Sequence, residues 1–138
     1  MRMGVQICSD INRPEGCHLL GAMGADVIVN PRATEAATFD RWRTVFIANA
    51  MTSGVYVLSV NRPHEEHGVL LGGPSFAVAP TGEVLAESSN PLTLVALDPG
   101  VVSQARQRYP GYLATRADLY AEGWKQVNAT RLPHERHS

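Results

Sequence analysis

The sequence predicts an α/β fold whose sheet mixes parallel and antiparallel strands, and three observations support this prediction. A strand, a helix and a second strand follow one another within residues 3–30, the order of a βαβ unit with a right-handed crossover. A second helix-then-strand pattern occupies residues 39–60. Residues 75–87 then contain two short apolar runs joined by a Pro-Thr-Gly turn, a hairpin signal that adds antiparallel strands.

The N-terminal unit is predicted from its caps and its apolar runs. The first strand spans residues 3–7, where an apolar run ends at a cysteine. A helix follows over residues 14–23, with Asn12 as its N-cap, proline in its first turn and glutamate three residues after the cap, as in a capping box. A glycine closes this helix, and the compact β-branched run of residues 26–30 predicts a buried strand.

The middle of the chain continues the alternation of helix and strand. Residues 31–37 are predicted to form a loop, and residues 39–53 a helix, because bulky apolar residues recur there at helical spacing. A glycine ends that helix, and the next buried strand is predicted over residues 55–60. Residues 61–73 are polar and contain glycine, which predicts a loop.

The C-terminal part is predicted to complete the sheet and to add helices. The hairpin strands span residues 75–79 and 83–87, and a further strand is predicted over residues 92–97. A helix is predicted over residues 101–108 and an irregular stretch over residues 109–119. A short helix is predicted over residues 118–127, and a tail over residues 131–138.

Composition narrows the class of protein. With 138 residues, 44% of them hydrophobic and 18% charged, the chain suits a single soluble globular core. A formal net charge of -1 gives no basic field for nucleic acid. No apolar run approaches the roughly 20 residues that span a bilayer, and the N-terminus lacks a signal pattern. We therefore expect a cytoplasmic protein with neither a nucleic-acid nor a membrane partner.

Cys8 stands where the first predicted strand gives way to a polar turn. A free cysteine in such a strand is usually a packing residue. Its position favours a second interpretation, because ligands gather outside the carboxyl ends of strands in α/β sheets. There a helix N-terminus favours a thiolate, and the next backbone N–H can face an oxyanion. The residue alone leaves both interpretations open.

Residues 3 to about 120 contain four motifs in a fixed order: GVQICSDINRPEG, GADVIVNP, GPSFAVAPTGEVL, and the pair YP and RADLY. Together they resemble the nitrilase superfamily, the carbon–nitrogen hydrolases, and the first motif is similar to the family's nucleophile elbow. The sequence departs from the family pattern at Thr52 and Ser53, where the family usually has Glu and Asn. It also departs at Ile11 and Asn12, where carbamoyl amino-acid hydrolases carry arginine. The resemblance therefore leaves the subfamily open.

The resemblance implies the C-terminal half of an α-β-β-α sandwich, with a mixed sheet and helices packed on one face. It divides the chain into a partial hydrolase domain over residues 1–121, whose N-terminal half is absent, and a C-terminal helix and tail over residues 122–138. It also implies a homodimer or higher homo-oligomer in the full-length enzyme. His18 and Met51, on the first two helices, are predicted to make the twofold contact.

The resemblance also implies hydrolysis of a non-peptide C–N bond in a small amide, carbamoyl compound or nitrile, with no cofactor. In the family a cysteine attacks carbon, a glutamate moves protons and a lysine stabilises developing charge while a thioester forms. Only Cys8 is assigned, because no glutamate or lysine precedes it and the sole lysine, Lys125, is interpreted as solvated. We therefore expect a fragment that is inactive alone; the alternative is a non-catalytic remnant or interaction module of the same fold.

Further candidate residues flank the predicted strands. By resemblance, Ser9 supplies a backbone N–H toward the oxyanion. Asp10, Arg32 and Thr34 are candidates for substrate binding because they follow the first two strands. The ordinary alternatives are that Asp10 bonds its own backbone and that Arg32 is solvated.

A metal site is not predicted. His64 and His67 form an HxxH pair in a polar loop, together with Glu65 and Glu66. This spacing is a weak signal and no third ligand is placed, so we interpret the segment as a solvated loop and expect no metal.

Overall fold

The structure is a computed structural model that describes residues 1–62 and 64–130, so the predicted tail over residues 131–138 lies outside the described residues. A 3-10 turn, Cys8–Asn12, follows the first strand. The helices and strands are, in chain order, β1 (Met3–Val5), α1 (Pro14–Ala22), β2 (Val27–Arg32), α2 (Phe39–Ser53), β3 (Tyr56–Asn61), β4 (Glu65–Glu66), β5 (Val69–Leu70), β6 (Ser75–Val78), β7 (Val84–Ser88), α3 (Pro99–Gln107) and α4 (Ala117–Thr130).

The main sheet confirms the predicted mixed α/β architecture. In the described part of the chain its strand order is β1-β2-β3-β6-β7. β1, β2 and β3 are parallel, while β6 and β7 are antiparallel to their neighbours. The register pairs Arg32 with Asn61 at the ends of β2 and β3. Because parallel strands point the same way, these two residues and Cys8, which follows β1, lie at one edge of the sheet.

α1 and α2 cover one face of this sheet. Their core contains Ile28 and Val57 from the strands and the aromatic side chain of Phe46 from α2, each fully buried. The Phe46 ring stacks on Phe76 of β6 with ring centroids 5.7 Å apart. Gly21 allows the two helices to approach closely, since a Cβ there would lie 2.8 Å from the carbonyl oxygen of Ser53. The predicted placement of helices on one face is confirmed for α1 and α2.

The opposite face of the sheet is covered at one end by α3, through Val102, which packs on Val27 and Tyr56. The rest of this face, hereafter the open sheet face, carries apolar side chains that are 57–73% exposed: Met3, Val5 and Val60. Within residues 1–62 and 64–130, every helix is too short or too polar to cross a membrane.

Two predicted elements change at the sheet. β2 does not end at residue 30, because Pro31 and Arg32 continue the ladder opposite Val60 and Asn61. The predicted loop therefore starts two residues later. The strand predicted over residues 92–97 is wrong: this segment is irregular, since no neighbouring strand pairs with it in the described chain.

Two local predictions also change. Asn12 does not cap α1, whose N-cap is Arg13 and has no side-chain cap bond. The turn before it is ordered instead by the carboxylate of Asp10, which accepts a hydrogen bond from the Ile7 N–H. The loop predicted over residues 61–73 contains the small hairpin of β4 and β5. Pairing of Glu65 with Leu70 supplies the backbone bonds that make it a hairpin.

Candidate active site

Cys8 occupies a sharp turn between β1 and α1. Its φ of 49° lies in the left-handed region, which is uncommon for a residue with a Cβ. In this turn the Asp10 N–H donates to the carbonyl of Ile7 over 3.0 Å, and the Ile7 N–H donates to Asp10 Oδ2 over 3.1 Å. The Cys8 side chain is half-buried, between solvent and the core under α1 and α2. The predicted strand-to-helix turn is therefore present, with the cysteine at its start.

A chain of buried hydrogen bonds supports this turn from below. The side-chain amide of Asn30 donates to the carbonyls of Gln6 and Cys8, over 2.7 and 3.0 Å. Asn30 Oδ1 lies 3.0 Å from Ser59 Oγ, which donates to it. Ser59 Oγ in turn accepts a 2.9 Å hydrogen bond from Arg32 Nε. The backbone of the cysteine turn is thus connected through two strands to the guanidinium of Arg32.

Arg32 is only 5% exposed, which contradicts the solvated alternative. Its terminal nitrogens donate to Thr34 Oγ1 and to the carbonyl of Pro74. Thr34 is itself buried and donates its backbone N–H to Asn61 Oδ1 over 3.1 Å. The structure therefore brings Arg32 and Thr34 together at the carboxyl edge of β2, under the segment that leads into β6.

Three aromatic rings enclose the Arg32 guanidinium. Its Cζ lies 5.5, 5.7 and 5.8 Å from the ring centroids of Phe46, Phe39 and Trp42. Burial lowers the pKa of Arg32 from 12.5 to about 10, and a Coulombic interaction with Cys8 opposes part of that shift. Arg32 is therefore a cation at neutral pH, and Cys8 is near enough to affect its charge.

The other residues singled out in the sequence lie outside this cluster. Ser9 and Asp10 are exposed, and the Asp10 carboxylate bonds its own backbone, as its ordinary interpretation predicts. Lys125 lies on α4 with 76% of its side chain exposed and pairs with Glu122 at 3.7 Å, in agreement with its interpretation as solvated. Among the residues described, no cluster of three or more His, Cys, Asp or Glu side chains is able to hold a metal ion.

Sequence reasoning missed the buried polar residues Asn30, Ser59 and Asn61. Asn61 Nδ2 donates to the carbonyls of Gly72 and Gly73, the latter over 3.2 Å, and thereby fixes the loop beside Arg32. The signal was available, because polar residues two positions apart in an otherwise apolar strand share one face. Read in this way, β2 and β3 each show a polar pair at their carboxyl ends.

The fold and the cysteine turn define a protein with the nitrilase-superfamily architecture. The crystal structure of Saccharomyces cerevisiae Nit3, a member of branch 10 of that superfamily, matches 83% of this chain and 43% of its own, with a TM-score of 0.71 and 29% identity. A carbon–nitrogen hydrolase from Helicobacter pylori G27 shares the fold with a TM-score of 0.75 at 21% identity, over 87% of this chain and 48% of its own.

The chain belongs to the carbon–nitrogen hydrolase family, whose model matches residues 1–107. Mouse deaminated glutathione amidase is 32% identical over 125 residues, which cover 86% of this chain and 38% of that protein. An (R)-stereoselective amidase of Pseudomonas sp is 32% identical over 119 residues, 84% of this chain and 43% of that protein. The chain thus spans less than half the length of these relatives.

Proposed function

We propose that the chain carries the nucleophile, Cys8, of a hydrolase that cleaves a non-peptide C–N bond in a small amide, carbamoyl compound or nitrile. The observation that carries this proposal is the left-handed backbone of Cys8 in the turn that follows the carboxyl end of β1, because ligands of α/β sheets gather at that edge. The names of the relatives support it, since those reported above are amidases or belong to the nitrilase superfamily.

The proposed chemistry with an amide runs in two steps. Cys8 Sγ forms a bond to the carbonyl carbon, the C–N bond breaks, and the amine leaves with a proton. Water then attacks the thioester, which releases the carboxylic acid and returns the thiol. The first amides of a helical turn have no acceptor within the turn, so the Ser9 N–H is our candidate donor to the oxyanion.

The remaining roles follow from position. We assign Asp10 to orienting the cysteine turn, because its carboxylate holds the Ile7 N–H. Arg32 and Thr34 are assigned to substrate binding, because they lie at the same edge of the sheet as Cys8. The proton-moving glutamate and charge-stabilising lysine implied by the family resemblance are assigned to no residue of this sequence. We therefore expect the 138 residues alone to turn over no substrate, since removal of one oxyanion-stabilising group by itself costs about 10²–10³ in rate.

An activated ester tests the nucleophile without requiring a proton-moving glutamate or a charge-stabilising lysine. p-Nitrophenyl acetate has a good leaving group, so we expect a burst of nitrophenolate close to one equivalent, with the acetyl group on Cys8 by mass spectrometry. Cys8→Ala should abolish the burst and Cys17→Ala should keep it. Acetylation of Cys17 alone, or an unchanged burst in Cys8→Ala, would refute the proposal.

A second candidate is a non-catalytic interaction module, favoured by the open sheet face of Met3, Val5 and Val60. The same ester assay separates the two functions, because an interaction module requires no reactive Cys8. We place either form in the cytoplasm.

A further inference from the structure

Arg32 carries a buried positive charge that no carboxylate balances within residues 1–62 and 64–130. The ion pairs of that part of the chain involve other cations. The three acceptors of Arg32 are neutral: two hydroxyl oxygens, of Ser59 and Thr34, and the carbonyl of Pro74. A charge removed from water is costly unless an opposite charge faces it. No described carboxylate offsets that cost, and the interaction with Cys8 offsets only part of it, so the site favours an anion.

The guanidinium also keeps donors for such an anion. Arginine has five N–H groups in a planar fork, and the three hydrogen bonds to described residues use three of them. That fork matches the two oxygens of a carboxylate. The rings of Phe39, Trp42 and Phe46 surround the group within 5.8 Å and hold it in one place. The binding group is thus fixed before any ligand arrives.

The position of Arg32 relates this charge to Cys8. Both follow or end parallel strands at the same edge of the sheet. Asn30 and Ser59 connect the Cys8 carbonyl to Arg32 Nε through hydrogen bonds of 2.9–3.0 Å. A molecule whose reactive carbon reaches Cys8 therefore brings its neighbouring groups toward the guanidinium.

We propose that Arg32 binds a carboxylate of the substrate, so that the substrate is an anionic amide or carbamoyl compound. This inference rests on the proposed function, because it takes Cys8 as the nucleophile. It narrows the substrate from any small amide, carbamoyl compound or nitrile to one that carries a carboxylate near the reactive carbon.

Two alkylating reagents of nearly equal size test this inference. Iodoacetate and iodoacetamide both lose iodide as the thiolate of Cys8 attacks their CH₂ group, and they differ in charge. At one pH the thiolate fraction cancels in the ratio of their rates. We expect Arg32→Gln to lower the iodoacetate-to-iodoacetamide ratio at Cys8 about tenfold and Arg32→Lys to keep most of it. Arg43→Gln is the matched control, because Arg43 is exposed and pairs with Glu87 at 3.0 Å.

The outcomes separate the two proposals. An unchanged ratio in folded Arg32→Gln overturns the carboxylate site and leaves Cys8 as the nucleophile. If neither reagent alkylates Cys8 in the wild-type chain, the proposed function is overturned, and this inference with it. If Arg32→Gln does not fold, protection of wild-type Cys8 from iodoacetamide decides the matter. Propionate should then slow the alkylation of Cys8 at a concentration at least tenfold lower than propionamide requires. Equal protection by the two compounds overturns the inference.

Discussion

The side-chain amide of Asn30 donates a 3.0 Å hydrogen bond to the main-chain carbonyl of Cys8, across 22 residues of sequence. The same amide donates over 2.7 Å to the carbonyl of Gln6. A fully buried strand residue thus fixes the two carbonyls that bracket the entry to the cysteine turn. This contact explains how a half-buried cysteine is held in left-handed backbone.

Asn30→Asp should destabilise the protein strongly. The carboxylate has no N–H, so the carbonyls of Gln6 and Cys8 lose their donor, at about 1–3 kcal/mol for each buried group left unpaired. We expect the free energy of unfolding in urea to fall by about 3 kcal/mol. Asn128→Asp, on the exposed surface of α4, is the control and should change it by less than about 0.5 kcal/mol. Equal urea midpoints for the two variants would contradict the role given to Asn30.

Cys8→Gly should be more stable than Cys8→Ala, by about 1 kcal/mol. Glycine has no Cβ and adopts a positive φ without steric cost, whereas alanine keeps the strain of the φ of 49°. Thermal or urea unfolding of the two variants measures the difference. Ser9 has no positive φ, so the order should reverse there, with Ser9→Ala more stable than Ser9→Gly. If the alanine variant were the more stable one at both positions, the backbone of Cys8 would be unstrained.

Burial of Cys17 should make stability fall at alkaline pH. Burial raises the pKa of the Cys17 thiol from 9.0 to about 12, against a smaller lowering effect of its hydrogen bond with Ser53. Above pH 9 the unfolded thiol ionises while the folded one stays protonated, so its stabilising contribution is complete below pH 9 and is lost toward pH 12.

The measurement for Cys17 is urea unfolding at pH 8 and pH 10. The wild-type free energy of unfolding should fall by about 1 kcal/mol more than that of Cys17→Ala. The lowered pKa of Arg32 acts in the opposite sense, but only above about pH 10. Parallel pH dependence in the two proteins would show that Cys17 does not titrate as argued.

The homodimer predicted for the full-length enzyme depends on His18 and Met51. The His18 ring is exposed, with Nε2 3.2 Å from Thr115 Oγ1, and Met51 is 41% exposed. If these side chains meet their copies across a twofold axis, His18→Glu with Met51→Glu places like charges together and should give folded monomers. Sedimentation velocity of the full-length enzyme measures the change, with Leu92→Glu, at an exposed position (74%) outside this contact, as the control. A monomeric wild type, or a dimer unchanged in the double variant, would disprove this interface.

The sequence was sufficient to predict those elements that are determined by residues close together in the chain. The bounds predicted for α2 are the observed ones, because its apolar period and the following glycine, Gly54 with φ 61°, both act within a few residues. The α/β class and the turn at Cys8 were predictable for the same reason. The catalytic role of Cys8 stays a prediction, since chemistry depends on groups brought together in space.

Tertiary structure decided what depends on distant partners. β2 continues through Arg32 because β3 lies beside it, and residues 92–97 form no strand because no neighbour pairs with them in the described chain. The environment of Arg32 could not be predicted either, because its hydrogen-bond partners Ser59 and Pro74 are 27 and 42 residues away in the sequence. The apolar periodicity of a segment and its flanking residues determine whether it forms a helix or a strand. Its hydrogen-bond partners, its burial and the balance of its charge are determined only when the sheet brings separate segments together.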